Sequence, residues 1–198
     1  HFGTLTQMKR DMMAEVAATL AFSTIANNDK VGVIFFSDKV EKFIPAQKGK
    51  THVLHIIREL LSFEPSSSGT DIAQALQYFA NAQKRHCTAF LISDFIGSGT
   101  MYKPLLIASN RHELNAIQIY DRREAELPNV GLVKFHDAET GGDLWVDTSI
   151  AAVRNEYAKT WNDNQNELQQ LFTRTGVNNI SIRTDEDYVK ALMHLFRC

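Results

Sequence analysis

Two short apolar runs, "VGVIFF" at 31–36 and "TAFLI" at 88–92, punctuate a chain whose other apolar residues recur every three or four positions. A run rich in Val, Ile and Phe, without polar alternation, is the mark of a strand covered on both faces. The segment "ELNAIQIY" at 113–120 reads as a further strand. Between these lie helical stripes. Leu5, Met8, Met12, Val16 and Leu20 share one face of a long helix over 4–27. Val53, Leu54, Ile57, Leu60 and Leu61 point inward from a helix over 51–63, and Ile72, Ala75, Leu76 and Phe79 from one over 70–83. A helix around 102–110 follows. Helices alternating with buried strands predict an α/β fold, a mostly parallel sheet with helices on both faces, because parallel strands need crossovers that cover the sheet.

Two parts depart from that rhythm. Ser37-Asp38-Lys39 turns into "KVEKFIP", an alternating edge strand ending at Pro45 and antiparallel to 31–36. Residues 131–148 hold two alternating runs around Thr140-Gly141-Gly142-Asp143, an inserted β-hairpin. Thr148 or Ser149 then caps a long helix with the stripe Val153, Tyr157, Trp161, Leu168, Leu171 and Phe172, stopped by Gly176. "NISIR" is a short strand, and "TDEDYVKALMHLF" a final helix. No internal repeat or long linker divides the chain, so residues 1–198 are read as a single domain.

Composition narrows the function classes. A formal charge of −2 over 198 residues gives no reason to expect a nucleic-acid partner. The only cysteines, Cys87 and Cys198, lack zinc-type spacing, and with no disulfide framework they point to a reducing, cytoplasmic location. No apolar run approaches the roughly 18 residues of a membrane span, and no signal-peptide pattern is present, so no membrane contact is visible within this stretch. The first residue is His1 rather than Met, which reads as a piece of a longer protein.

Sites on parallel sheets form from loops at the carboxyl ends of strands. Two loops qualify: Ser93-Asp94 after "TAFLI", and "SSSGTDIAQAL" at 66–76. A hydroxyl from Thr70 and a carboxylate from Asp94, brought together, would suit a hard cation such as Mg²⁺. Thr70 reads equally well as a plain helix N-cap, and Asp94 as a turn residue. Enzyme signatures are weaker. No phosphate-cradling glycine motif follows a strand, and no nucleophile elbow is present, so a non-enzymatic protein is expected. The pair His86-Cys87 leads into a strand, where neighbours face opposite ways.

The stretches "FGT…KRDMMAEVAATLAFSTIANNDKVGVIFFSDKVEKFIP", "GTDIAQAL", "AFLISDF", "ELPNVGLVKFHDAETGGDLWVDT" and "RTDEDYVKALMHLF" together resemble a bacterial family of unknown function. That family is von Willebrand factor type A-like and is commonly encoded beside MoxR-type AAA+ ATPases. The resemblance spans essentially the whole chain. It implies a von Willebrand factor A-like fold with a metal-ion-dependent adhesion site built from three loops. Thr70 in "SGTD" matches the second loop and Asp94 in "ISDF" the third, with Ser68, Asp71 and Ser93 beside them to meet a partner. The first loop, an Asp-x-Ser-x-Ser motif, has no counterpart in the chain, nor has the strand that precedes it. That strand is central in the fold, so a break is expected between 31–36 and 88–92. The implied cofactor is Mg²⁺ or another divalent cation in the full-length protein, not held tightly by this chain alone. The implied partners are a MoxR-type ATPase and its client proteins, with an acidic residue of the partner completing the ion's coordination. A metal-assisted hydrolase and a scaffold with a decayed site are the alternatives.

Overall fold

In chain order the elements are α1 (Gly3–Asn27), β1 (Val31–Phe36), β2 (Val40–Gln47), α2 (Lys50–Ser62), α3 (Ile72–Ala82), β3 (Thr88–Ser93), α4 (Tyr102–Ser109), β4 (Glu113–Tyr120), α5 (Arg122–Ala125), β5 (Leu132–His136), β6 (Asp143–Asp147), α6 (Ala151–Thr175), β7 (Asn178–Arg183) and α7 (Tyr188–Leu195). They are those of a computed structural model, which describes residues 3–67, 69–96, 101–136 and 142–195.

The centre is a parallel sheet in the order β3–β4–β7. Its middle strand, β4, is buried from Leu114 to Ile119. Side chains alternate across a strand, so one sequence feeds two cores. Leu114 and Ala116 of β4, with Leu91 of β3, pack beneath α3, α4 and α6 against Leu76, Leu105 and Phe172. Ile117 and Ile119, with Ile182 of β7, pack on the opposite face against Val16 of α1 and Leu192 of α7. Helices therefore cover both faces, as the alternation predicts. The two polar side chains that β4 buries are satisfied sideways. Asn178 Nδ2 donates to Asn115 Oδ1 (3.3 Å), and Ser181 Oγ donates to Gln118 Oε1 (2.9 Å).

β1 and β2 form a separate antiparallel pair. No ladder joins β1 to β3 among the described residues, so the expected break in the sheet is present. Helix α1 spans it, with Val16 in the β4–β7 core and Ala21 in a second core with Phe35, Ile44, Val53 and Ile56. β1 itself is less covered than its apolar run predicts. Phe35 is its buried residue, since a strand paired on one edge leaves more surface open.

Other expectations need correction. β2 continues past Pro45 to Gln47, because a bulge opposite Gly32 breaks the ladder where the proline lacks its N–H. A Cβ on Gly32 would lie 2.7 Å from the Ile44 carbonyl oxygen, so the bulge needs glycine there. On α2 the buried residues are Val53 and Ile56, whereas Leu54 and Leu61 are exposed. The segment offers more apolar positions than one helix face buries. Neither Thr148 nor Ser149 caps α6. Thr148 is fully buried, its hydroxyl accepting from the Val130 N–H (3.0 Å) and donating to the Gly131 carbonyl (2.7 Å). Thr148 thereby fixes the base of the β5–β6 hairpin, while Gly176, with φ 66°, ends α6 as expected. The hairpin is present with Leu132 opposite Asp147, and its turn at 137–141 lies outside the described residues.

At the amino edge of the sheet His112 is 3% exposed, its Nδ1 3.6 Å from Cys87 Sγ. Its Nε2 is buried without a hydrogen-bond partner. Burial, helped by His86 and Arg111, lowers its pKa, and burial pushes the Cys87 thiol up. A histidine whose folded pKa is depressed is held neutral, while the unfolded chain takes up a proton below about 6.5. Stability should therefore fall as pH drops from about 7 through that value. Denaturant melts of His112→Phe should show a smaller loss over the same range, and an unchanged loss would contradict this account.

Candidate functional site

The carboxyl edge of β3–β4–β7 is a row of polar side chains in register, Ser93 beside Gln118 beside Ser181. Ser93 is buried, and its Oγ accepts from the Phe95 N–H (3.1 Å). Gln118 Nε2 donates to the Asp94 carbonyl (3.3 Å) while its Oε1 takes the Ser181 hydroxyl. Phe95 has φ +56°, a conformation that bulky side chains rarely adopt. Its ring is anchored 5.3 Å from that of Phe172 in a T-shaped contact, which holds the strained turn. The reversal lets Asp94 Oδ1 accept the Ile96 N–H (3.2 Å) and leaves Oδ2 for another donor.

That donor is Lys9 of α1, 85 residues away in sequence, with Nζ 2.8 Å from Asp94 Oδ2. The same nitrogen lies 2.6 Å from Glu124 Oε1. Glu124 is fixed in turn by a capping box, its Oε2 accepting the Asp121 N–H (3.2 Å). The Lys9 side chain is 11% exposed. Burial alone would lower the ammonium's pKa, but Asp94 and Glu124 more than offset this and raise it. Neither Lys9 nor Glu124 was singled out from the sequence, since each pairs across long separations and no local spacing marks them.

The described residues of the "SSSGTD" loop bond to the β1–β2 pair instead. Ser66 donates through both its backbone N–H (3.0 Å) and its hydroxyl (2.8 Å) to Glu41 Oε1, which also accepts from the Ser37 hydroxyl (2.7 Å). Those hydroxyls hold the Glu41 carboxyl below its usual range. The Asp71 N–H donates to the Ser37 carbonyl (2.8 Å), so the loop is clasped to the β1–β2 turn. Asp71, not Thr70, caps α3, its carboxylate accepting the Gln74 N–H (2.8 Å). Thr70 is exposed. Ser68 lies outside the described residues. No hydrogen bond among the described residues joins Thr70 to Asp94.

A divalent ion needs several hard oxygens free to converge on one point. Here both oxygens of Asp94 are engaged, by Lys9 and by the Ile96 N–H. Among the described residues no group of three or more His, Cys, Asp or Glu is placed to hold a metal. The described residues thus do not fit the ion that the family resemblance implies.

Beside Asp94 and Glu124 opens a cleft of about 1200 Å³. Val153, Tyr157 and Trp161 of α6 form one wall, and Phe135, Leu144 and Val146 on one face of the hairpin form the other. Trp161 is held against Tyr120, with ring centroids 5.4 Å apart. Tyr157 donates its hydroxyl to the Arg123 carbonyl (3.3 Å), and burial followed by Glu124 raises its pKa. Leu144 is 65% exposed and Ile96 52%, so the cleft's rim is apolar and open.

Comparison with known proteins places the chain in a family. It belongs to the family described as "Protein of unknown function DUF58", which matches residues 1–167. An uncharacterized protein of Mycobacterium tuberculosis (strain ATCC 25618 / H37Rv) is 29% identical over 192 residues, 95% of this chain and 60% of the relative. The chain thus spans about 60% of the length of the curated relatives it matches first. The fold is similar to the crystal structure of the conserved hypothetical protein BatB from Bacteroides thetaiotaomicron, with TM-score 0.54 and 18% identity over 93% of this chain and 86% of that one. It is also similar to an aerotolerance-related membrane protein from Bacteroides fragilis NCTC 9343, with TM-score 0.52 and 19% identity over 85% of this chain and 80% of that one. The second likeness corrects the cytoplasmic location expected from the cysteines. A neighbour of the same fold is described as a membrane protein, and the cytoplasmic expectation does not stand. Among the described residues no helix is long and apolar enough to cross a membrane.

The capping geometry has a direct consequence. Asp71→Ala should lower stability by ~1 kcal/mol, the usual worth of a side-chain N-cap, whereas Thr70→Ala should leave it nearly unchanged. Equal losses in thermal melts of the two variants would show that Thr70 shares the cap.

Proposed function

We propose that the protein is a non-enzymatic interaction domain of von Willebrand factor A-like type, whose working surface is the cleft at the carboxyl edge of the sheet. It acts as an adaptor for a MoxR-type AAA+ ATPase, presenting client proteins to it at the membrane. The observation that carries this reading is the cleft itself, about 1200 Å³ between α6 and the hairpin, with Leu144 and Ile96 exposed at its rim. Soluble surfaces seldom leave large apolar groups gathered around a concavity unless a partner covers them. Half-buried aromatic anchors such as Trp161 on one wall are the kind of group that dominates a protein contact. The parallel β3–β4–β7 sheet with helices on both faces supports the von Willebrand factor A-like assignment. The ion that this assignment implies would draw on Thr70 and Asp94. Because the described residues do not fit it, recognition is derived from the apolar walls and not from a metal.

Leu144→Asp and Ile96→Asp each place a charge on the rim at an exposed position, where folding has little at stake. Each should weaken binding to the ATPase by about tenfold or more, roughly 1.4 kcal/mol. Leu61→Asp, on α2 and 66% exposed, should leave binding unchanged. Titration of the ATPase against the three variants checks this, and equal weakening by Leu61→Asp, or none by Leu144→Asp, would contradict the assignment of the cleft.

A further inference from the structure

Two carboxylates from distant parts of the chain converge on one nitrogen. Asp94 Oδ2 lies 2.8 Å and Glu124 Oε1 2.6 Å from Lys9 Nζ, and the side chains of the three are 25%, 26% and 11% exposed. Each carboxylate has its second oxygen on a backbone N–H, that of Ile96 for Asp94 and that of Asp121 for Glu124. Nothing in this arrangement resembles the mobile ion pairs of a protein surface, where side chains are solvated and each contact contributes little. Both acids thus have an anchor besides the ammonium. Without the ammonium, two negative oxygens would face each other in a partly dry site with no charge between them. It is also the donor set that a hard divalent cation seeks.

We propose that Lys9 is the resident cation of this edge: its ammonium fills the space between Asp94 and Glu124 and so excludes a divalent ion, and removing it turns the acidic pair into a divalent-cation site. The consequence deepens the adaptor reading and rests on it only for this last step. Two carboxylates and one ammonium leave the edge with a net negative charge, so it has no attraction for an acidic residue of a partner. Contact then runs through the apolar walls, with uncharged or basic groups beside them, and does not need a metal.

The test uses Mn²⁺ as the probe, with the intact protein, Lys9→Met, Lys9→Arg and the double variant Lys9→Met with Asp94→Asn. Free Mn²⁺ is read by its paramagnetic resonance signal, and thermal melts are run with and without the ion. Lys9→Met should bind Mn²⁺ at least about tenfold more tightly than the unaltered protein and gain melting temperature from it. Lys9→Arg, which keeps the charge, should not. The double variant should lose the gained affinity. Unaltered protein that binds Mn²⁺ as tightly as Lys9→Met, or a folded Lys9→Met that gains nothing, overturns the proposal. Should Lys9→Met not fold, the unaltered protein still decides it. At roughly millimolar Mn²⁺, the concentration range of weak biological cation sites, the amide signals of Ile96 and Glu124 should stay sharp, and their broadening would overturn the proposal. All of these readings are made without the ATPase, so a failure of partner binding leaves them standing and counts against the adaptor reading alone.

Discussion

Among the described residues no strand ladder crosses the seam between the β1–β2 pair and the β3–β4–β7 sheet, and side-chain packing on α1 bridges it. Hydrogen-bond ladders fix register residue by residue, whereas apolar packing fixes only proximity and volume. Phe36 of β1 also packs into the core beneath α3, and helix α1 spans the seam from one core to the other. It does so through small and branched residues, Val16 against β4 and β7 and Ala21 against β1, β2 and α2. At its start the same helix carries Lys9, whose ammonium reaches both Asp94 and Glu124. The helix that joins the halves also completes the polar edge of the sheet.

That edge explains why the fold alone does not dictate a metal. Strand ends in a parallel sheet gather polar groups wherever the chain turns, and the same carboxylate can face an ion or an ammonium. The choice is local. Phe95, in its left-handed conformation, turns Asp94 so that one oxygen meets a backbone N–H and the other meets Lys9. Glu124 arrives from α5, a single turn whose capping box fixes it. The result is a pre-formed floor with a residual negative charge beside an apolar cleft, which suits a surface that meets another protein.

Much of the fold was legible because period and burial are local signals. β3 and β4 announced themselves as strands, and Gly176 marked the end of α6. Legibility stopped where neighbouring residues compete for one role. Thr70 and Asp71 are both good caps, and only the turn geometry decides that Asp71 takes the Gln74 N–H. In α2 six apolar residues exceed the width of the buried face, and Ile56 faces in while Leu54 and Leu61 face out. The site was harder still. Asp94 was visible as a strand-end acid, but its partner Lys9 stands 85 residues away, and the second acid on Lys9, Glu124, lies on a short helix that periodicity does not reveal. The cleft depends on how α6 and the hairpin stand apart, a property of packing that no window of sequence contains.

Amide hydrogen exchange of the protein with and without a MoxR-type ATPase tests the central claim most directly, because it reports where the partner sits without altering a residue. The account predicts new protection along the carboxyl edge, in the turn at Ile96, in β6 around Leu144 and in the first half of α6 through Trp161, with the amino edge around Cys87 and His112 unchanged. Protection confined to the amino edge, or to the exposed face of α2 at Leu54 and Leu61, would contradict it.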